Sequence, residues 1–554
     1  MNSRHLASCA MALALAAVMG AAAHAEGINL GEPNTSDTQA STTTAAAPAA
    51  PAYQASLIPN GGNIFSRMAD YYKLEWGQAG PPVDPSAPSA RRDDYPPQPV
   101  NSPPYPFTEW PYGAATLMGV NRPSSVDSPL MVGLAPTGLG KLMSDAHIQA
   151  YGWVEVGGNL STSHVRGGNA PAGYDYNPNT VQLDQTVLYI ERTPDTVQRD
   201  HIDWGFRVSG IYGVDYRYTT SYGLGSNQLT KGNKNMGWDL PMEYVELYVP
   251  QVAKGLMIRA GRFISIPDIE AQLAPNNYMY SHSMTYTFDN FTNTGVMATL
   301  AVTPNLFIQG GITTGTDSFA GNVGAHVTNP FPNPLYPNST FLKDPGARPS
   351  FSGCVRYEST SANDDLYVCV NGINSGEYGY NNLQWKGFTY YHKFSPKFHV
   401  ALEVYNVHES NVPNVNNPEV QTIIANGGTP FSGPHFRFNA PDGAQCKDVN
   451  TLTCRSNVQA ELAYWNYQFS PLDNLTLRTE YFDDMQGQRT GVATGYEGVA
   501  LGVQHWLSPQ IELRPEIAYY RADSGNAFDG NSNRGIPNDR RQETILSGDA
   551  IFHF

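Results

Sequence analysis

Beyond its first two dozen residues the chain has no run of about 18 to 20 apolar residues, the length a membrane-crossing helix needs. Yet 41% of its residues are hydrophobic, so if it resides in a membrane it does so as a closed barrel, the other fold that satisfies every backbone group in lipid. Charge is scarce as well: Asp, Glu, Lys and Arg make up 15%, and 33 basic against 49 acidic residues leave a formal net charge of -16. That balance excludes nucleic acid as a partner, because phosphate binding needs a basic face. Catalytic signatures are also missing. There is no HExxH, P-loop, GxSxG or nucleotide-binding glycine fingerprint. His282 stands beside Ser281 and Ser283, and His505 lies near a strand end, but ordinary loop and girdle histidines account for both. Glu512 and Glu516 share a strand face about 13 Å apart. Arg514 lies between them, a charge ladder rather than an acid/base pair. Neither an enzyme nor a cofactor is expected.

Five cysteines are present, and Cys9 falls in the N-terminal apolar stretch. Cys354, Cys369, Cys446 and Cys454 remain, an even number in a chain that reads as exported, so disulfides are the default. No CxxC pair or His pair at ligand spacing accompanies them, and no metal is expected. Cys354 and Cys369 flank a turn near 360–364 symmetrically, which pairs them across a hairpin. Cys446 and Cys454 then close a small loop.

What is abundant is 52 Gly, 33 Tyr and 22 Phe, the profile of turns and aromatic strands. Arg4 and His5 precede an apolar stretch from Leu6 to Ala23 that ends in Ala23-His24-Ala25, so residues 1–25 read as a signal peptide. Residues 26–52 are low-complexity Thr, Ala and Pro and cannot bury enough apolar surface to offset their ordering entropy. Ile64, Phe65, Met68, Tyr71, Tyr72 and Leu74 have near-helical spacing, which fits either a short helix over 62–76 or a transiently ordered piece of a periplasmic tail. Residues 77–140 are Pro-rich and read as extended chain, so 26–140 is expected to be a periplasmic segment without a domain of its own.

From about residue 141 to the end the texture is one of short alternating segments. Ile202, Trp204, Phe206 and Val208 face away from Asp203, Gly205 and Arg207. Leu475, Leu477, Thr479 and Tyr481 face away from Thr476, Arg478 and Glu480, and Ile511, Leu513, Ile517 and Tyr519 from Glu512, Arg514, Glu516 and Tyr520. Tight Pro turns (Val302-Thr303-Pro304-Asn305, Phe394-Ser395-Pro396-Lys397, Phe469-Ser470-Pro471-Leu472, Leu507-Ser508-Pro509-Gln510) alternate with long loops at 217–238, 317–350 and 410–456. Short turns on one rim and long loops on the other are the asymmetry of an outer-membrane barrel. The reading is all-β, an antiparallel up-and-down transmembrane barrel of about 16 strands. Counting back from the last strand puts every Pro turn on the periplasmic rim.

The chain resembles the OmpL-like β-barrel outer-membrane porin family. The likeness is carried by Ser102-Pro103-Pro104-Tyr105-Pro106-Phe107-Thr108-Glu109-Trp110-Pro111-Tyr112-Gly113, by Tyr151-Gly152-Trp153-Val154-Glu155 with Asn159-Leu160-Ser161-Thr162-Ser163, and by Ala260-Gly261-Arg262-Phe263. It continues through Ala274-Pro275-Asn276-Asn277-Tyr278-Met279-Tyr280-Ser281-His282-Ser283 to Thr294-Gly295-Val296. It implies a general porin fold in the bacterial outer membrane and passive diffusion of small hydrophilic solutes or ions, with no dedicated chemistry. The Cys-bearing loops match no family pattern. A structural or adhesin-like barrel without a conducting pore is the alternative, and an outer-membrane lipid hydrolase a more distant one.

For a porin, the alternation places Arg207, Arg259, Arg262, Glu403, Arg478, Glu480, Glu512, Arg514 and Glu516 on the lumen wall, either solvated by lumen water or paired with one another across neighbouring strands. The segment around Tyr278, Tyr280 and His282 suits a constriction loop folded inward, or an ordinary surface loop. The expected partners are outer-membrane lipid and lipopolysaccharide, the barrel-assembly machinery through the strand ending at Phe554, and further copies of the chain.

Overall fold

A computed structural model describes residues 58, 61–76 and 128–554, apart from 224, 231–233, 266–267, 320–347, 362, 380, 396, 426–442, 471, 509 and 532–534. The expected signal peptide, the low-complexity stretch and most of the Pro-rich stretch lie outside these residues.

Sixteen antiparallel strands close on themselves. In order they are β1 Gln149–Ser161, β2 Val181–Arg192, β3 Asp203–Gly213, β4 Gly237–Val249, β5 Leu256–Ile264, β6 Thr292–Ala301, β7 Leu306–Thr316 and β8 Ser350–Glu358. Then come β9 Asp364–Ile373, β10 Gln384–Ser395, β11 Phe398–Pro413, β12 Thr453–Ser470, β13 Asp473–Asp484 and β14 Thr494–Ser508. The fifteenth strand, β15, has two pieces, Ile511–Leu513 and Glu516–Ala522, both paired with β14 and with β16, which is Gln542–His553. The interruption falls at Pro515, whose missing N–H cannot join the ladder. The barrel closes where β1 pairs with β16 from Trp153 opposite His553 to Ser161 opposite Ile545. Reciprocal backbone bonds between Gly152 and Phe554 lengthen that seam by one step.

The faces are inverted relative to a soluble protein. Along β3, Trp204, Val208 and Tyr212 are exposed while Arg207 and Ser209 are buried. On β15, Ile517 and Tyr519 are exposed while Glu516, Ala518 and Tyr520 are buried. Leu247, Ile312, Val368, Leu477, Leu501 and Leu546 continue the apolar exterior. Such a band is costly in water and favourable in hydrocarbon, so the barrel is a membrane barrel.

One strand expectation is shifted. Residues 285–302 alternate well enough to suggest a strand throughout, but β6 begins at Thr292, and Met284–Thr287 form a helical turn capped by Ser283. Those residues belong to a segment inside the barrel. Near the rim of short turns, α1 (Ile64–Glu75) is capped by Asn63, which accepts from the Ser66 amide at 2.9 Å. Two more helices, α2 (Pro129–Leu134) within the stretch expected to be extended and α3 (Gly138–Asp145) across its end, are capped by Ser128 and Thr137. Arg67 of α1 donates to the Val132 carbonyl of α2 at 3.0 and 3.1 Å, and Ile64 and Met68 lie against Gly133. Ser128 Oγ donates to Ala150 O at 2.7 Å and Tyr72 to His553 O, so these helices are tied to the β1–β16 seam.

Cys354 of β8 lies opposite Cys369 of β9 in register, and the two are disulfide-bonded, as are Cys446 and Cys454. Non-reducing peptide mapping is expected to recover these two pairs alone. A Cys354–Cys446 peptide would show that the β8–β9 hairpin is registered differently.

Candidate functional site: the lumen and its inserted segment

A barrel of 16 to 18 strands is wide enough to leave an aqueous channel. Here the connection from β5 to β6 turns into that space. Every residue from 268 to 294 is buried, and side chains of the wall bond to the backbone of the connection on several sides. The reason is chemical. Residues 268–291 hold no Gly, Lys or Arg but are rich in aromatic and small polar groups, and their turns expose N–H and C=O groups that dry wall charges can satisfy.

Arg514 on β15 donates to the carbonyls of Ala274 and of Asn277, the latter at 3.0 Å, and to the carboxylates of Glu155 at 3.1 Å and Asp549. Arg478 on β13 donates to Ser281 O at 2.6 Å, Ser281 Oγ at 3.0 Å and the Tyr520 hydroxyl at 2.9 Å. Glu516 accepts from the Ser281 amide at 3.1 Å, Glu480 from the Met284 amide at 2.7 Å, and Glu403 from the Ile269 amide at 3.0 Å. Across the β1–β16 seam, Gln185 of β2 accepts from the Ala274 amide and donates to Gln272 O. Tyr280 donates to Asp184 at 3.0 Å, and the Tyr278 hydroxyl meets His399 Nε2 at 2.9 Å. His282 stacks on Tyr174, ring centroids 3.6 Å apart, where the β1–β2 connection descends onto the segment.

The residues placed on the wall from sequence therefore separate into two groups. Arg478, Glu480, Arg514, Glu516 and Glu403 meet the inserted segment. Arg207 pairs with Glu191, Arg259 with Glu246 and Arg262 with Asp239, each with a carboxylate on the same or the adjacent strand. Arg262 also donates to Thr219 O at 2.7 Å. Glu512 accepts from Gln504 at 2.7 Å and lies 3.2 Å from His553 Nε2. Cross-strand pairing therefore describes Arg207, Arg259 and Arg262, while the side chains of Arg478 and Arg514, each 1% exposed, are covered by the segment. The segment takes the place of water and supplies the polar partners that a buried charge requires.

Sequence reasoning missed Asp184, Gln185 and Glu270. A bulge between Glu155 and Val156 shifts the register of β1 against β2 and changes which β2 residues face inward. Glu270 lies in the segment itself, where it accepts from Ser283 and from Tyr464. The lack of Gly, Lys and Arg across 268–291 was the available signal, since the loop stretch 217–238 has all three. Above the strands, Arg489 donates to Phe288 O at 2.9 Å, beside a cavity of about 270 Å³ lined by Gly167, Tyr176, Phe288, Arg489, Ala527 and Asn531. Beside it Asp529 joins the β1–β2 and β15–β16 connections. Burial acts to raise its pKa, but the amides of Val165 and His164, with Arg540, outweigh it and hold the carboxyl below its usual range.

A closed barrel that is apolar outside, charged inside and occupied by one of its own connections defines an outer-membrane protein of the porin class. The chain belongs to the family described as Putative beta-barrel porin-2, OmpL-like, whose model matches residues 147–554, and it is a protein of the bacterial outer membrane. No relative among curated proteins matches it. Similar solved structures include an anion-selective porin from Comamonas acidovorans, with 10% identity, a TM-score of 0.41, and coverage of 74% of this chain and 99% of that one. The outer membrane channel DcaP of Acinetobacter baumannii has 9% identity and a TM-score of 0.42, covering 74% and 97%. Salmonella typhi OmpF in complex with daunomycin has 9% identity and a TM-score of 0.39, again covering 74% and 97%.

Proposed function

We propose that this porin is a narrow channel for small hydrophilic solutes or ions, with residues 268–291 as the element that limits passage. The observation that carries this is the continuous burial of that segment against the charges of the lumen wall. Backbone amides and carbonyls of the segment engage both signs of wall charge, so it is held by many separate bonds, and the path beside it is confined to small permeants. The same burial favours a second reading, a barrel that conducts only when the segment moves. The Pro turns and the tethered helices are assigned to the periplasmic rim, the long loops to the cell surface, and the strand ending at Phe554 to recognition by the assembly machinery. Association with lipopolysaccharide and with further copies of the chain belongs to the same reading. No residue is assigned to catalysis.

Planar-bilayer recording on the refolded chain tests this. The expected result is a small, steady single-channel current. A barrel silent in wild type and also after removal of the segment would overturn the porin reading, whereas silence in wild type alone would establish the second one.

A further inference from the structure

The most unusual polar group in the barrel lies at the feet of the inserted segment. Asp268 follows the end of β5 by four positions, and Asp289 precedes β6 by three. Glu403 comes from β11, six strands on from β5. An oxygen from each of the three lies within 4.8 Å of the other two, and the three residues are 1%, 5% and 1% exposed. Carboxylates this close in a dry site repel one another. Other lumen carboxylates are relieved by donors: nearby Asp317 accepts from the amides of Phe291 and Thr292 and from Asn381. Most oxygens of the trio are not. Glu403 Oε2 takes the Ile269 amide, but Glu403 Oε1, Asp268 Oδ2 and both oxygens of Asp289 are buried with no donor from outside the trio. Among the described residues, none of the three forms an ion pair with Lys, Arg or His.

We infer that Asp268, Asp289 and Glu403 form a site for a hard divalent cation of the calcium class, which fastens both feet of the inserted segment to the barrel wall. Four oxygens with no outside donor, directed at one another, are what such an ion lacks in an ordinary acidic patch. Calcium takes six to eight oxygen ligands at about 2.3–2.6 Å in flexible geometry. Two ligands on opposite sides of the ion then stand about 4.6–5.2 Å apart, so oxygens that lie within 4.8 Å of one another can all touch one ion. The absence of nitrogen or sulfur donors disfavours zinc and copper. A divalent ion reduces the formal charge of the trio from three negative to one and joins residues distant in the chain, which the cluster cannot do while its members repel.

The test is calcium titration of the full chain, folded in detergent and stripped with chelator, by isothermal calorimetry. Wild type is expected to bind one calcium per barrel. D289N and E403Q, which keep the side-chain shapes, are expected to weaken that binding at least tenfold while retaining the heat-modifiable gel migration of a folded barrel. Chelator is expected to lower the melting temperature of wild type and leave that of E403Q unchanged. No isotherm with folded wild type, or the same isotherm in both variants, would overturn the site and leave protons as what neutralises the trio. Should either variant fail to fold, the wild-type isotherm and the chelator shift decide. None of these readouts depends on whether the barrel conducts, so failure here is distinct from failure of the porin reading.

Discussion

Replacing residues 271–286 with a short Gly-Ser linker is expected to raise single-channel conductance several-fold. Sixteen strands enclose room for a water-filled channel, and the residues removed are buried within it throughout. The barrel should survive the change, because β5 and β6 are paired from Leu256–Leu300 to Ile264–Thr292 without help from the segment. The wall charges that lose partners would meet water, not a void. The groups uncovered are Arg478 and Arg514 against Glu480, Glu516 and Asp184, all of which now bond to the removed residues. The acidic excess should shift the reversal potential in a salt gradient toward cation preference, since charge lining a wet lumen biases permeation. Unchanged conductance in a correctly folded deletion would remove the segment from the permeation path.

Arg514→Ala should have the largest effect of any single lumen substitution, and on stability before selectivity. The guanidinium is 1% exposed and bridges Glu155, Asp549 and two carbonyls of the inserted segment. Removing it leaves two carboxylates buried side by side. Breaking a buried pair in this way costs about 3–5 kcal/mol, readable as a fall in the urea midpoint of the folded barrel. Adding Asp549→Asn to the variant should recover part of the loss by removing one of the stranded charges, and Arg514→Lys should not fully substitute, because a point charge cannot serve so many acceptors at once. Arg259→Ala provides the comparison. Its pair with Glu246 is 11% exposed on the arginine side, so a smaller loss is expected. Equal midpoints for R514A and wild type would mean that the four contacts contribute nothing net.

Much of the architecture was legible from alternation alone, because a side-chain period of two between lipid and an interior leaves a strong mark on β3, β13 and β15. The tight Pro turns fixed where strands meet, and the hairpin symmetry of Cys354 and Cys369 followed from that register. Two short helices were missed in a Pro-rich stretch, although Ser128 before Pro129 and Thr137 before Gly138 were recognisable caps. Capping is a local signal that a Pro-rich composition masks.

The sequence by itself determined which residues face in and which face out wherever the alternation is unbroken, since that depends only on neighbours two positions apart; at the β1–β2 bulge, where Asp184 and Gln185 are both buried, it did not. It could not determine what the inward residues touch. Arg514 and Asn277, Glu480 and Met284, and Asp268 and Glu403 are brought together by barrel closure and by the inward path of one connection, and no periodicity links positions more than a hundred residues apart. Only the tertiary structure decided that the lumen charges are dry and bonded to protein, because whether a charge meets water depends on what else occupies the space in front of it.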